Sequence, residues 1–180
     1  AKLREIVHAD LTSYAAIEPE LTGHDACFFC LGVSAAGMSE QDYTRVTYDV
    51  TLAVAQVLAR LSPAMTFIYV SGEGTDSTVT KRAMWARVKG KTENALLKLP
   101  FKAVMFRPGL IRPLHGIRSK TRLYRIAYTV MWPLFPLLGM FGALTTTERV
   151  GQAMLRVARD GAPKPILSNR DINSLAAGAL

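Results

Sequence analysis

Apolar residues fall into short, nearly unbroken runs, separated by stretches in which they recur every three to four positions. The runs are Glu5-Ile6-Val7, Ala26-Cys27-Phe28-Phe29-Cys30-Leu31, Thr66-Phe67-Ile68-Tyr69-Val70 and Ala103-Val104-Met105-Phe106. The last three lack polar alternation, as parallel strands covered on both faces require. Between them, Val50, Ala53, Val54, Val57, Leu58 and Leu61 recur at helical spacing, with Ser39 and Asp42 as a start signal upstream. A second helix is predicted over about 81–99, with Trp85, Val88, Ala95, Leu96 and Leu99 on or near one face. A third begins at Thr145-Thr146-Thr147-Glu148, a capping-box spacing, and carries Val150, Ala153, Met154, Val157 and Ala158. Strands alternating with helices predict an α/β fold with a doubly wound parallel sheet. Such sheets bind ligands at the carboxyl ends of their strands. Those junctions read Asp10-Leu11, Cys30-Leu31-Gly32, Ser71-Gly72-Glu73-Gly74 and Arg107-Pro108-Gly109, all suited to close backbone approach.

Length and composition narrow the picture. The 180 residues read as a single domain, 1–180, of a size that hides roughly 70% of its extended surface on folding. With 49% apolar and 20% charged residues, wholesale disorder is excluded. Two cysteines, Cys27 and Cys30, cannot build a disulfide framework, which points to a reducing compartment and a cytoplasmic location. Residues 1–7 do not read as a secretory leader, because they are charged and lack a long apolar run. The chain opens on Ala1 and its first methionine is Met38, so the sequence reads as a fragment.

The net charge of +8 is concentrated. Over 94–147 there is no Asp or Glu, whereas Lys98, Lys102, Arg107, Arg112, Arg118, Lys120, Arg122 and Arg125 are all basic. A localised patch predicts a localised anionic partner: a phosphate-bearing cofactor, an anionic lipid surface or a nucleic acid. A solvated basic face is the plainer alternative. No nucleic-acid-reading motif accompanies the charge, which ranks nucleic acid last. The uncharged run 126–147 follows, and its length alone would span a bilayer. Pro133, Pro136, Gly139 and Gly142 would interrupt a spanning helix. A buried or pocket-lining segment and an interfacial one beside a basic collar are the other readings, the latter a peripheral membrane contact.

Some motifs fail. Gly72-Glu73-Gly74 follows a predicted strand, but position 77 is Ser, so the G-x-G-x-x-G fingerprint is not met. Cys27 and Cys30 have metal-like spacing, yet i and i+3 on a strand point to opposite faces, so the pair reads as structural. His8, His24 and His115 have no second ligand at helical spacing, and a metal site is unsupported.

The richer constellation is Ser71 at a strand end, the run from Met84 to Glu93 containing Val88-Lys89-Gly90-x-x-Glu93, and Phe106-Arg107-Pro108-Gly109. Together with Cys30-Leu31-Gly32 and Ser71-Gly72-Glu73-Gly74-Thr75-Asp76, these resemble the short-chain dehydrogenases/reductases. The likeness is strongest to their atypical, epimerase-like and Tat-interacting-protein-like branch, over about 5–160. The resemblance implies a Rossmann-like, three-layer fold that binds NADP or NAD. It implies a reductase or epimerase-like activity, with 110–145 as the substrate-side cover. The apolar composition of that cover and its basic entrance suggest a small apolar substrate, lipid-like, isoprenoid or aromatic, carrying an anionic group. Asp10, with Leu11 beside it, would touch the adenine. Cys30, Leu31 and Gly32 would lie along a ribose, and Pro108 and Gly109 would flank the nicotinamide. Ser71 would polarise the substrate oxygen, and Lys89 would hold the nicotinamide ribose and lower the pKa of the acid. Helices over 40–61 and 81–99 would pair subunits in a homodimer.

Two departures qualify the likeness. The family's catalytic tyrosine position, four residues before the lysine, is Trp85, whose indole N–H donates a hydrogen bond but does not exchange a proton near neutral pH. Thr47 stands near where an Asn often completes the family's proton relay. The glycine-rich pyrophosphate loop would lie upstream of Ala1, in roughly 40 to 50 residues, the size of a βα unit plus a strand. The alternative from another class is a non-catalytic, cofactor-binding sensor or scaffold, with or without membrane-surface attachment.

Overall fold

The computed structural model describes residues 3–114 and 143–179. The helix α1 (Glu18–Leu21) is a single turn with Pro19 near its start. After β1 (Ala26–Phe29), one helical run comprises α2 (Glu40–Thr44), a π-helical turn (Arg45–Asp49) and α3 (Val50–Leu61). The Ser39 hydroxyl oxygen caps this run by accepting the Asp42 N–H at 3.1 Å, as their spacing predicts. Then come β2 (Thr66–Val70), α4 (Met84–Leu96), β3 (Lys102–Arg107) and β4 (Leu110–Arg112). The order ends with β5 (Leu144–Thr146), α5 (Thr147–Asp160), β6 (Ile166–Ser168) and α6 (Asn169–Ala177).

Four strands form a parallel sheet in the order β1-β2-β3-β6, flanked by helices, so the fold is α/β and Rossmann-like. β3 pairs in parallel with β6, Met105 opposite Ile166 and Arg107 opposite Ser168. β4 and β5 make a separate parallel pair, Leu110 opposite Leu144.

The described chain forms two compact units. The first comprises Ala1–Phe67 and Thr75–Ala103. In its core, Phe67 stacks between Phe29 and Phe101, with centroids 5.8 and 4.9 Å away, and α4 packs on α2, the π-turn and α3. The second comprises Ile68–Gly74 and Val104–Leu180. There Ile68, Phe106, Ala153, Val157, Leu167 and Ile172 are fully buried together, each large side chain contributing about 1.5–3 kcal/mol by leaving water.

Several expectations shift. Residues 5–7 form no strand, and Val7 is 90% exposed. No described strand pairs with this segment, and three residues bury too little apolar surface to stay extended without a ladder. β1 is not buried on both faces: Ala26, Cys27 and Phe29 are half-buried and Phe28 is exposed, at the edge of the sheet. α4 starts at Met84 rather than 81, because the Thr80 and Lys81 amides are already held by the Asp76 carboxylate at 2.6 and 2.7 Å. The cap of α5 is Thr146, whose hydroxyl oxygen accepts the Arg149 N–H. Thr145 instead belongs to β5. β6 and α6 are additional elements, α6 opened by a reciprocal capping box between Ser168 and Asp171.

No helix among the described residues is long and apolar enough to cross a membrane. His115, the basic residues Arg118 to Arg125 and most of the uncharged run and of 110–145 lie outside the described residues.

Candidate functional site

In the second unit, two strand ends are fastened side by side. Ser71, 6% exposed at the end of β2, donates its backbone N–H to the Phe106 carbonyl at 2.9 Å and its hydroxyl to the same oxygen at 3.1 Å. Two residues on, the Glu73 N–H donates to the Pro108 carbonyl at 2.8 Å. Ser71 and the Pro108–Gly109 turn, singled out separately from the sequence, are therefore neighbours. Gly109 has no room for a side chain: a Cβ there would lie 2.4 Å from the Ala143 carbonyl oxygen and 2.7 Å from Glu73 Oε2. Its N–H donates to Asn169 Oδ1 at 2.9 Å.

In the first unit, α4 carries Trp85 and Lys89 one turn apart, with Glu93 fully buried one turn further on. Lys89 is half-buried, and that burial lowers its pKa, opposed by the Glu93 carboxylate. The loop before α4 lies flat against the helix. The Asp76 N–H donates to the Ala86 carbonyl at 3.1 Å, and Asn94 Nδ2 donates to the Ser77 carbonyl at 2.9 Å. A Cβ on Gly90 would fall 1.7 Å from the Asp76 carbonyl oxygen, so only glycine permits this approach. The Asp76 carboxylate accepts from the Thr78 hydroxyl and from the Thr78, Thr80 and Lys81 amides, which hold it far below the usual carboxylate range. Val79, in the same loop, has φ +60°.

The remaining candidates are also in the first unit, on exposed loops. Asp10 follows no strand, which corrects that part of its expected setting. Its carboxylate accepts the Thr12 hydroxyl and N–H at 2.6 and 2.9 Å, which lower its pKa. Leu11 is exposed beside it. Cys30, Leu31 and Gly32 follow β1 and are exposed, and a Cβ at Gly32 would meet nothing within 4 Å. Both cysteines are free. Burial, with Cys30 nearby, pushes the Cys27 thiol up to about 12, which suits a packed side chain rather than a thiolate ligand. Among the described residues no three His, Cys, Asp or Glu are grouped to hold a metal ion.

Sequence reasoning missed Asn169 and the Gly90–Asp76 contact. A Ser-x-x-Asp spacing at Ser168 and Asp171 was available as the start signal of the helix bearing Asn169.

No family model matches the chain. It is 29% identical to protein FMP52-2, mitochondrial, of Scheffersomyces stipitis over 173 residues, covering 89% of this chain and 72% of that protein. It is 24% identical to leucinostatins biosynthesis cluster protein T of Purpureocillium lilacinum over 185 residues, 86% of this chain and 68% of the other. Protein HTATIP2 of Rattus norvegicus is 31% identical over 94 residues, 52% of this chain and 38% of that protein. These likenesses are distant and partial, and with the parallel α/β sheet they are consistent with an atypical, NAD(P)-binding short-chain dehydrogenase/reductase.

Proposed function

We propose that the chain is an NAD(P)-binding protein of the atypical short-chain dehydrogenase/epimerase type. In this reading it is a reductase or epimerase-like enzyme for a small apolar substrate, with catalysis altered by Trp85. The observation that carries the reading is the fastening of Ser71 to the strand that leads into Pro108–Gly109. It sets a hydroxyl and a close-approach turn at the carboxyl end of a parallel sheet, where such folds receive ligands. The open backbone at Gly32 and the half-buried ammonium of Lys89 also fit a flat, anionic dinucleotide.

Bound NADP or NAD would supply hydride-transfer chemistry. In this reading Asp10 and Leu11 meet the adenine, Cys30, Leu31 and Gly32 lie along a ribose, and Lys89 holds the nicotinamide ribose. Pro108 and Gly109 flank the nicotinamide. Ser71 donates to a substrate oxygen, exchanging its present bond to the Phe106 carbonyl. Trp85 can orient a ligand through its indole N–H but cannot move a proton there.

Calorimetric titration of the full-length protein with NADPH and NADH tests the reading: binding of either supports it, and binding of neither overturns it. Trp85→Tyr restores a phenol four residues before Lys89. Carbonyl reduction is expected to rise by about 10²–10⁴-fold, the usual contribution of a placed acid–base group. Trp85 also favours a second reading, a cofactor-binding sensor or scaffold. Retained dinucleotide binding with no activity gained in Trp85→Tyr selects it. A homodimer and a cytoplasmic location, at a membrane surface or free of one, complete the proposal. The mitochondrial name of one relative makes organelle fractionation the check on location.

A further inference from the structure

The Pro108–Gly109 turn is held from two sides by this chain's own groups. From the β2 side, the Glu73 N–H takes the Pro108 carbonyl at 2.8 Å. From the other side, the Asn169 side-chain oxygen takes the Gly109 N–H at 2.9 Å. Proline offers no N–H of its own, so the donor that the turn possesses is committed inside the protein. Asn169 is 4% exposed and opens α6, whose first turn is fixed by the Ser168–Asp171 capping box. A buried amide aimed in this way is costly to leave unmatched.

The same helix makes a second attachment one turn on. Asn173 accepts the Thr145 hydroxyl at 2.8 Å and donates to the Leu144 carbonyl at 3.0 Å, so it grips β5. β5 is the partner of β4, which continues directly from the turn, and the Leu110 N–H donates to the Ala143 carbonyl at 3.0 Å. Residues four apart on a helix share a face. One face of α6 therefore fastens both the turn and the strand pair that follows it. Helix packing alone does not need this, because α6 is already anchored through buried Ile172 and Leu175.

We infer that α6 is a latch for the ligand-side turn: Asn169 is a positioning residue that holds Pro108–Gly109 in its ligand-receiving shape, and Asn173 keeps β5 in place beside it. The identity of the ligand rests on the dinucleotide reading above, whereas the latch itself does not.

Amide hydrogen exchange on the full chain, for wild type, Asn169→Ala and Asn169→Asp, tests the latch. The Gly109 amide is expected to exchange about tenfold faster or more in Asn169→Ala, as the loss of one hydrogen bond implies. In Asn169→Asp, which keeps the acceptor oxygen, it returns towards the wild-type rate. The Met105 amide, bonded to the Pro165 carbonyl, serves as the control and stays protected throughout. Unchanged Gly109 exchange in Asn169→Ala overturns the latch. So does a parallel loosening of Met105 that Asn169→Asp fails to rescue, since that marks a general folding role. If Asn169→Ala does not fold, Asn169→Asp decides alone: preserved Gly109 protection supports the latch and lost protection refutes it.

NADPH titration of the same proteins reads the ligand half. About tenfold weaker binding in Asn169→Ala, restored in Asn169→Asp, supports a ligand-receiving role, and equal binding in all three overturns it. A wild type that binds neither NADPH nor NADH refutes the dinucleotide reading and the ligand half, while the exchange result on Gly109 stands by itself.

Discussion

Gly90 and Gly151 both sit inside helices, and their surroundings give opposite expectations for the same substitution. At Gly90 the helix touches the loop backbone, and a Cβ would overlap the Asp76 carbonyl oxygen at 1.7 Å. Gly90→Ala is expected to lower stability by about 1–3 kcal/mol or more, since the obstacle is backbone rather than a flexible side chain. At Gly151 a Cβ meets nothing within 4 Å, so Gly151→Ala is expected to raise stability by about 0.5–1 kcal/mol through helix propensity. Urea unfolding of both variants checks the pair, and equal signs would contradict the packing described. At this scale the sequence placed Ser71 and Pro108–Gly109 at strand ends and Lys89 on a helix, because apolar runs and helical spacing are local signals. Asn169 was illegible as a partner of Gly109. A side-chain amide reaching a backbone N–H 60 residues earlier leaves no periodic trace.

Among the elements, β2 and β3 were plain because Phe67, Ile68, Met105 and Phe106 are apolar without interruption, as two-sided burial demands. The segment 5–7 has a similar local composition but no ladder partner among the described strands, and pairing is not a property a run of three residues carries. α6 escaped notice for the converse reason. Its nine residues are largely polar, and its apolar face rests on Ile172 and Leu175. Much of its definition comes from the cap. Ser168 accepts the Asp171 N–H while the Asp171 carboxylate accepts the Ser168 N–H at 2.7 Å, and Lys164 approaches that carboxylate at 2.8 Å. Ser168→Ala is expected to cost about 0.5–2 kcal/mol, read by thermal unfolding. A loss below this range would mean that tertiary packing alone sets the start of the helix.

Across the whole molecule, ionisation ties stability to pH at both ends. The Asp76 carboxylate is lowered by the Thr78 hydroxyl and the loop amides. That of Asp171 is lowered by Lys164 and Ser168 against the opposing effect of burial. Groups lowered in the folded state contribute fully above their unfolded pKa, about 3.9, and lose that contribution as pH falls through the folded value. Acid unfolding is therefore expected to steepen below about pH 4, and Asp76→Asn to flatten it. Lys89 has the opposite sign. Its lowered pKa means that the folded state gives up a proton first, so stability relative to Lys89→Met rises with pH towards about 10.4 and then levels off. Urea titrations of wild type and both variants from pH 3 to 11 would test both limbs. The bond between Gly109 and Asn169 also has a consequence in time. A ribosome adding about 5–20 residues per second makes the Asn169 side chain roughly 3 to 12 s after the glycine it will hold, a separation of 60 residues. During that interval the turn exists as nascent chain without its acceptor, so the turn proposed to meet the ligand is completed only after α6 has begun to be made. A message truncated between the Thr146 and Asn169 codons encodes strands β1 to β5 but not the side chain that accepts the Gly109 N–H, so its product cannot close the Pro108–Gly109 turn in this way.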